Sequence, residues 1–303
     1  MDAIGLAGVS KTFVRKRQRI DALKEVSLVM AEGEVFGFVG PNGAGKSTTI
    51  KIILDIIGDY GGEARIFGVS AREVSARRRV GYVPEAPVLH EQLTPLEILG
   101  AGLAMHGLRP AQPEAHCLAW LDRLSVAHVA RRKVRELSKG TVQRVAIAHA
   151  MALDPRLLIL DEPLSGLDPV GRKDVVDLLS EYRAHGGSIF LTSHVLHDVE
   201  RLADRFGLIH QGELKTIRSP SEMVGEEETL TVRSLGEAAI PGMLAETDGR
   251  WRIEVTRSEL WQLLRALDAA HHSVIEIKPA MTLESAFMRY VGHGVRGSTP
   301  SAN

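Results

Sequence analysis

"GEVFGFVGPNGAGKSTTIKIILDII", residues 33–57, passes through three textures in one short span. Val35–Val39 is a run of aliphatic and aromatic residues broken only by Gly37, the composition of a strand covered on both faces. From Lys46 onward the apolar residues space themselves as on a helix. Between the two, Gly40, Gly45, Lys46 and Ser47 satisfy G-x-x-x-x-G-K-[ST], with Pro41, Asn42, Gly43 and Ala44 as the variable four, in the strand-to-helix setting that this motif requires. Glycines allow successive backbone N–H groups to turn inward on a phosphate chain, and the helix start adds the positive end of its dipole. Lys46 brings a point charge to the outer phosphates, Ser47 a hydroxyl for Mg²⁺, and Thr48 a bond to a nearer phosphate.

The flanking sequence extends this unit into an α/β core. "RLLILDEP" (residues 156–163), "GSIFLTSH" (187–194) and "DRFGLIHQGEL" (204–214) are further apolar runs of the kind found in parallel sheets. "GRKDVVDLLSEYRAHG" (171–186) is helical and closes on a glycine. The first of these strands ends in Asp161, a hard oxygen ligand for a metal, followed by Glu162, a carboxylate able to accept a proton from an attacking water. Residues 86–151 are dominated by helical patterns and read as a helical insert. After about Ser219, "TLTVRS", "WRIEVT" and "SVIEIK" alternate as strands around the helix "SELWQLLRALDAA", so residues 219–292 read as a second, small α+β domain. In it, Trp251 and Trp261 read as core residues, and His271 and His272 as surface residues that, pointing to opposite faces of a strand, make a poor chelate. "TLESAFMRYV" (282–291) reads as a helix with Leu283, Phe287, Tyr290 and Val291 on one face, and residues 293–303 as a disordered tail.

Bulk properties exclude several classes. A formal net charge of -1 lacks the electrostatic signature of a general nucleic-acid binder, so nucleic acid is not an expected partner. The runs "RKRQR" (15–19), "RRR" (77–79) and "RRKVR" (131–135) read as solvated faces. A single cysteine, Cys117, forms neither an internal disulfide nor a zinc site, reads as a small buried apolar residue, and suits a reducing cytoplasm. The first residues lack the charged and apolar regions of a leader, and no apolar stretch is long enough to cross a bilayer, so the chain is not expected to enter a membrane by itself.

One stretch separates this chain from other phosphate-loop proteins. "ELSKGTVQRVAIAHAMALDPRLLILDEPLSGLD" (136–168) places a Ser and a Gly at a helix start, then the acidic strand, then "SGLD", and the next strand runs out to His194. In that order and spacing, residues 1 to about 218 resemble the ATP-binding cassette (ABC) family. The resemblance implies a P-loop NTPase with a RecA-like parallel sheet, an antiparallel β subdomain and a helical insert, using ATP and Mg²⁺. By the same likeness Ser138 and Gly140 act in trans on the nucleotide of a second cassette, Asp168 lines the dimer seam, His194 holds the γ-phosphate and water, and Phe13 stacks on adenine. Glu85 stands where the family usually has Gln and joins Ser47 and Asp161 as an oxygen for Mg²⁺. The signature itself departs from L-S-G-G-Q, with Lys139 and Thr141 at its third and fifth positions. Lys46, Glu162 and His194 are then the catalytic set of an ATPase.

The likeness also implies partners: a second cassette, expected to be another copy, and a separate transmembrane permease, which places the chain peripherally at the cytoplasmic face of the membrane. "LSKG", "GLDP" and Glu85 resemble the branch of bacterial cassettes that serve exporter-type permeases. "PEAPVLHEQLTPLEIL" (84–99) offers Val88, Leu89 and Leu93 as a docking surface, with burial inside the helical insert as the competing reading. Two other functions stay open at this point, a soluble ABC ATPase working on ribosome or nucleic acid and a P-loop kinase.

Overall fold

The computed structural model describes residues 1–15, 18–224, 229–237, 239–246 and 248–279. The expected helix at 282–291 and the tail at 293–303 lie outside the described residues. The chain divides into two units, Met1–Ile217 and Arg218–Asn303.

In the first unit the run that opens the sequence becomes β3 (Val35–Val39), and every residue in it is buried. The same is true of β7 (Leu157–Asp161) and β8 (Ser188–Ser193), which is why their sequences carry no polar alternation. With β6 (Val80–Val83), β9 (Arg205–His210) and β10 (Glu213–Arg218) they form a six-stranded sheet in the order β10-β9-β3-β8-β7-β6. The pairs β3–β8, β3–β9, β7–β8 and β6–β7 are parallel. Gln211 and Gly212, both with positive φ, link β9 to β10 as a two-residue turn of the I′ kind, which makes β10 an antiparallel edge. Helices α1 (Lys46–Ile53), α5 (Pro169–Ala184) and α6 (Leu196–Leu202) are the crossovers. At the centre Phe190 stacks on Phe36 with ring centroids 5.9 Å apart and leans on Phe38 at 5.6 Å.

A second, antiparallel sheet comes from β1 (Asp2–Arg15), β2 (Gln18–Ala31), β4 (Gly61–Ile66) and β5 (Val69–Ser70), in the order β2-β1-β4-β5. Its inner face, with Ile4, Leu6, Val26, Leu28 and Met30, shares one buried cluster with α1 and the aromatic centre of the parallel sheet.

The helical segment holds α2 (Pro95–Met105), α3 (Pro113–Arg123) and α4 (Lys139–Ala152). Thr94 and Glu97 form a reciprocal capping box at the start of α2, and Cys117 lies on the buried face of α3. Gly102 lets α2 approach α4 closely, because a Cβ there would lie 2.3 Å from His149 Nε2. Val88 stands 96% exposed while Leu89 and Leu93 are half-buried, so the docking and burial readings of this segment divide between its residues.

The second unit contains α7 (Pro220–Val224), β11 (Thr229–Leu235), β12 (Leu244–Ala245), β13 (Arg250–Thr256), α8 (Leu260–Ala269) and β14 (Ser273–Pro279). Its sheet is antiparallel, ordered β12-β13-β11-β14, and α8 covers Val232 with Leu263 and Leu267. Two expectations are corrected here. Trp261 is 71% exposed, because Leu263 and Leu267 turn α8 so that position 261 lies on its outer face. His272 is buried at 7% exposure rather than on the surface, and its Nδ1 pairs with Ser234 Oγ at 2.9 Å. Trp251 is half-buried and donates its indole N–H to Gly236 O at 2.8 Å.

Phe190→Ala is expected to remove about 3–5 kcal/mol of stability, the range for a buried Phe truncated in a core, read from the midpoint of urea denaturation. Burial pushes the His149 imidazole below its ordinary pKa, with the nearby His106 as the smaller cause. The unfolded chain therefore binds the proton at a higher pH than the folded one. Stability is expected to fall as the pH drops below about 6.5 and on through the lowered folded pKa. Thermal melting over that window checks the slope, which His149→Gln should flatten.

Candidate nucleotide site

The loop between β3 and α1 keeps its shape through contacts that only glycine permits. A Cβ on Gly40 would meet Ile209 O at 2.2 Å, and one on Gly45, where φ is +116°, would meet Ala22 O at 2.7 Å. Further bonds brace the loop: Ala44 N donates to Pro41 O at 3.1 Å, and Gly212 N, from the β9–β10 turn, donates to Ala44 O at 3.0 Å. Lys46 folds back beneath the loop and donates from Nζ to Gly40 O at 2.7 Å. A cavity of about 780 Å³ opens above, lined by Pro41, Asn42, Gly43, Gly45, Lys46, Ser47 and Thr48, with Glu85 and Glu162 on one side and Ile20, Asp21, Ala22, Lys24 and Gln211 on the other. This is ordinary room for a small-molecule ligand.

The acids stand at the end of β7. Asp161 is 4% and Glu162 6% exposed, and Glu162 takes a left-handed backbone at φ 51°. That turn sends its side chain back toward the loop. Glu162 Oε1 lies 3.3 Å from Lys46 Nζ, a contact between two groups that are each 6% exposed. Oε1 is also a buried oxygen with no hydrogen bond, so the contact is an attraction of charges without the direction of a bond, and Oε1 keeps an open acceptor lone pair. Glu162 Oε2 pairs with His194 Nδ1 at 2.8 Å and accepts from His194 N at 3.3 Å. Beside them, Thr192 Oγ1 donates to Asp161 Oδ1 at 2.5 Å and accepts from Glu162 N at 3.1 Å. The negative charge of Asp161 adds to burial in pushing the Tyr82 phenol above its ordinary pKa.

Ser47, Asp161 and Glu85 offer oxygen donors of the hard type that Mg²⁺ takes. Among the described residues no group of three or more His, Cys, Asp or Glu forms a metal cage. Ser47 and Glu85 line the cavity and Asp161 adjoins it beside Glu162, hard oxygens that would suit an ion sharing its other positions with phosphate oxygens and water.

Asp161 and His194 do not line the cavity themselves but adjoin it through Glu162, and Gly40 and Ala44 lie within the loop below it, whereas Ser138, Gly140, Asp168 and Phe13 have no such link to it. Ser138 is exposed and caps α4, accepting from Thr141 N at 3.3 Å. Gly140 packs on the loop after β7, where a Cβ would lie 3.3 Å from Gly166 O, and Gln143 Nε2 donates to Pro163 O at 3.4 Å. Asp168 caps α5 at Gly171 N, 3.0 Å away, and is exposed. Phe13, expected beside the nucleobase, does not line the cavity, and its cross-strand partner Ile20 does. The reason is strand order: β1 lies behind β2, and it is β2 whose Lys24 N bonds Gly212 O next to the loop. The Phe13 ring instead sits 5.0 Å from Lys11 Nζ. Sequence reading also missed Thr192 and the wall formed by Ile20, Asp21, Ala22, Lys24 and Gln211. The "LTSH" run held the only local sign of Thr192, a hydroxyl two residues before the histidine.

A family model described as ABC transporter matches residues 23–165. An ABC transporter ATP-binding protein of Synechocystis is 32% identical over 98% of this chain and 85% of its own length, and one of Nostoc is 36% identical over 82% and 76%. This chain belongs to the ABC transporter ATP-binding family. It is the ATP-hydrolysing subunit of a transporter. The linearmycin resistance ATP-binding protein of Bacillus subtilis is another relative, 32% identical over 84% of this chain and 82% of its own. Among solved structures, a dimeric ATP-binding cassette in a post-hydrolysis state with ADP and Pi is 27% identical, with a TM-score of 0.66 over 71% of this chain and 98% of that one. The cassette assignment accounts for the phosphate loop, the two acids and the histidine meeting at one point.

Lys46→Met leaves the Glu162 carboxylate buried without its cation, which is expected to cost the nucleotide-free cassette about 3–5 kcal/mol. Adding Glu162→Gln to that variant should recover most of the loss, seen as non-additivity in urea denaturation. Purely additive losses would show that the two charges do not support each other.

Proposed function

We propose that two copies of this cassette close face to face around two ATP molecules, each copy completing the other's site, and that the closure drives a separate membrane permease. The observation that carries this reading is the division of the site: Lys46 and Glu162 meet at the cavity with His194 bonded to Glu162, while Ser138, Gly140 and Asp168 do not line it and Ser138 and Asp168 are exposed. A Ser and a Gly at the start of α4 supply hydroxyl, N–H and helix dipole suited to a phosphate, and a second copy brings one to them.

In the closed pair Ser47 and Asp161, with Glu85, would hold Mg²⁺, which supplies charge neutralisation for the phosphates. Lys46 leaves Glu162 for the β and γ phosphates as they enter. Glu162 Oε1 then accepts the proton of a water whose oxygen forms the new bond to the γ-phosphorus while the bond to the β–γ bridging oxygen breaks. His194, held at Glu162, orients that water and the γ-phosphate. Positioning and fixed charge add to this proton transfer. Moving a pair from mostly open to mostly closed takes about 5.5 kcal/mol of preference. Charge-assisted hydrogen bonds of about 1.5–3 kcal/mol each across two sites supply it, and departure of the γ-phosphate removes it.

Among the described residues no helix is long and apolar enough to cross a membrane. Exposed Val88, beside Glu85 on the segment that follows β6, is the apolar contact offered to the permease, at the cytoplasmic face of the membrane. Export is the direction favoured by relatives named for linearmycin resistance, lantibiotic transport and fluoroquinolone export.

Glu162→Gln is expected to bind Mg·ATP without turnover and to shift from monomer to dimer in size-exclusion chromatography, with ADP leaving it monomeric. A variant that stays monomeric at saturating ATP, with and without its permease, overturns the shared-site reading.

A further inference from the structure

Thr192 lies between the two acids, fully buried, and none of the roles assigned so far uses it. β7 and β8 pair so that Asp161 faces Thr192 across the strands. A hydroxyl has one proton to donate and lone pairs to accept with. Here the proton goes to Asp161 Oδ1 at 2.5 Å, and a lone pair takes the N–H of Glu162 at 3.1 Å. The two bonds form one chain, from backbone N–H through hydroxyl to carboxylate, in which each polarises the next. We propose that Thr192 is a positioning residue for ATP hydrolysis, setting the carboxylate of Asp161 for the metal and the backbone of Glu162 for the water. The inference rests on the ATPase reading of the site.

Two observations give this role its content. The bond to Oδ1 fixes the rotation of the Asp161 carboxylate and leaves Oδ2 as the oxygen free of Thr192. A carboxylate that turned freely would present the metal with a changing ligand, and oriented partners of this kind tune metal sites generally. The second observation is the left-handed backbone of Glu162 at φ 51°, a region that side-chain-bearing residues avoid. Its N–H points sideways to Thr192, and the reversed side chain reaches Lys46 at 3.3 Å and His194 at 2.8 Å. Without the hydroxyl that buried N–H loses its acceptor, and the turn that aims the base loses its anchor. His194 follows two residues later, after β8 ends, so one strand end places the histidine and holds both acids.

Thr192→Val removes the hydroxyl at nearly constant shape, and Thr192→Ser keeps it. Two readouts are taken for each: kcat and KM for ATP hydrolysis, and the affinity for a fluorescent ATP analogue with Mg²⁺ and with EDTA. The Val variant is expected to lose about ten- to a hundredfold in kcat, the span for losing a hydrogen bond to a charged group. KM should rise by no more than about threefold, in step with a smaller Mg²⁺ gain, since the phosphate-loop groups are intact. The gain in analogue affinity on adding Mg²⁺ should shrink in the Val variant while the EDTA affinity holds, and Ser should restore both readouts. If the Val protein does not fold, Thr192→Ala removes the same hydroxyl without adding bulk and takes its place. A Val variant with normal kcat and a normal Mg²⁺ gain overturns the role, as does a loss of affinity that is equal in EDTA and that Ser fails to restore. A wild-type chain that neither hydrolyses ATP nor gains affinity with Mg²⁺ overturns the ATPase reading itself.

Discussion

A carboxylate withdrawn from water sets the terms for the rest of this molecule. Glu162 at 6% exposure is an ion that burial disfavours by several kcal/mol, and only close partners offset that. Lys46 and His194 are those partners, and they reach the end of β7 from two other pieces of chain, the helix after β3 and the residue after β8. Because β3, β8 and β7 are adjacent and parallel, their carboxyl ends lie side by side. The Phe36–Phe190–Phe38 stack beneath them fixes the strand register, and with it the distances above. Core packing and chemistry are in this sense one construction.

Much of the framework was legible because the motif and the strands around it are local. The phosphate loop is contiguous, and a fully buried strand announces itself by lacking polar residues. The capped helices likewise carry their signals within a turn: Thr94 with Glu97 and Ser138 before α4 in the insert, and Asp168 with Pro169 at α5.

What escaped the sequence depends on pairing between distant segments. Thr192 matters because β8 sets it opposite Asp161, a register no local pattern encodes. Phe13 pairs across the strands with Ile20, which lines the cavity, a neighbour that no local pattern names. Trp261 lies outside because an aromatic in an amphipathic helix can fall on either side of the apolar stripe, and Leu263 with Leu267 decide which. His272 was misread for the converse reason: a polar side chain looked exposed until Ser234 supplied a buried partner. The roles of Ser138, Gly140 and Asp168 came from family likeness, since within one chain each does no more than cap or pack.

The turn between β9 and β10 has a further effect on the pocket. Through Gly212 it holds Ala44 of the phosphate loop by one bond and Lys24 of β2 by another, riveting the small sheet to the large one at the rim where a nucleotide enters. The loop is thus already immobilised by the polypeptide itself, and a ligand arriving there has little disorder left to remove. Affinity at this rim therefore depends on contacts made rather than on backbone frozen, and loosening Gly212 would weaken capture of the triphosphate without touching a single group that meets it.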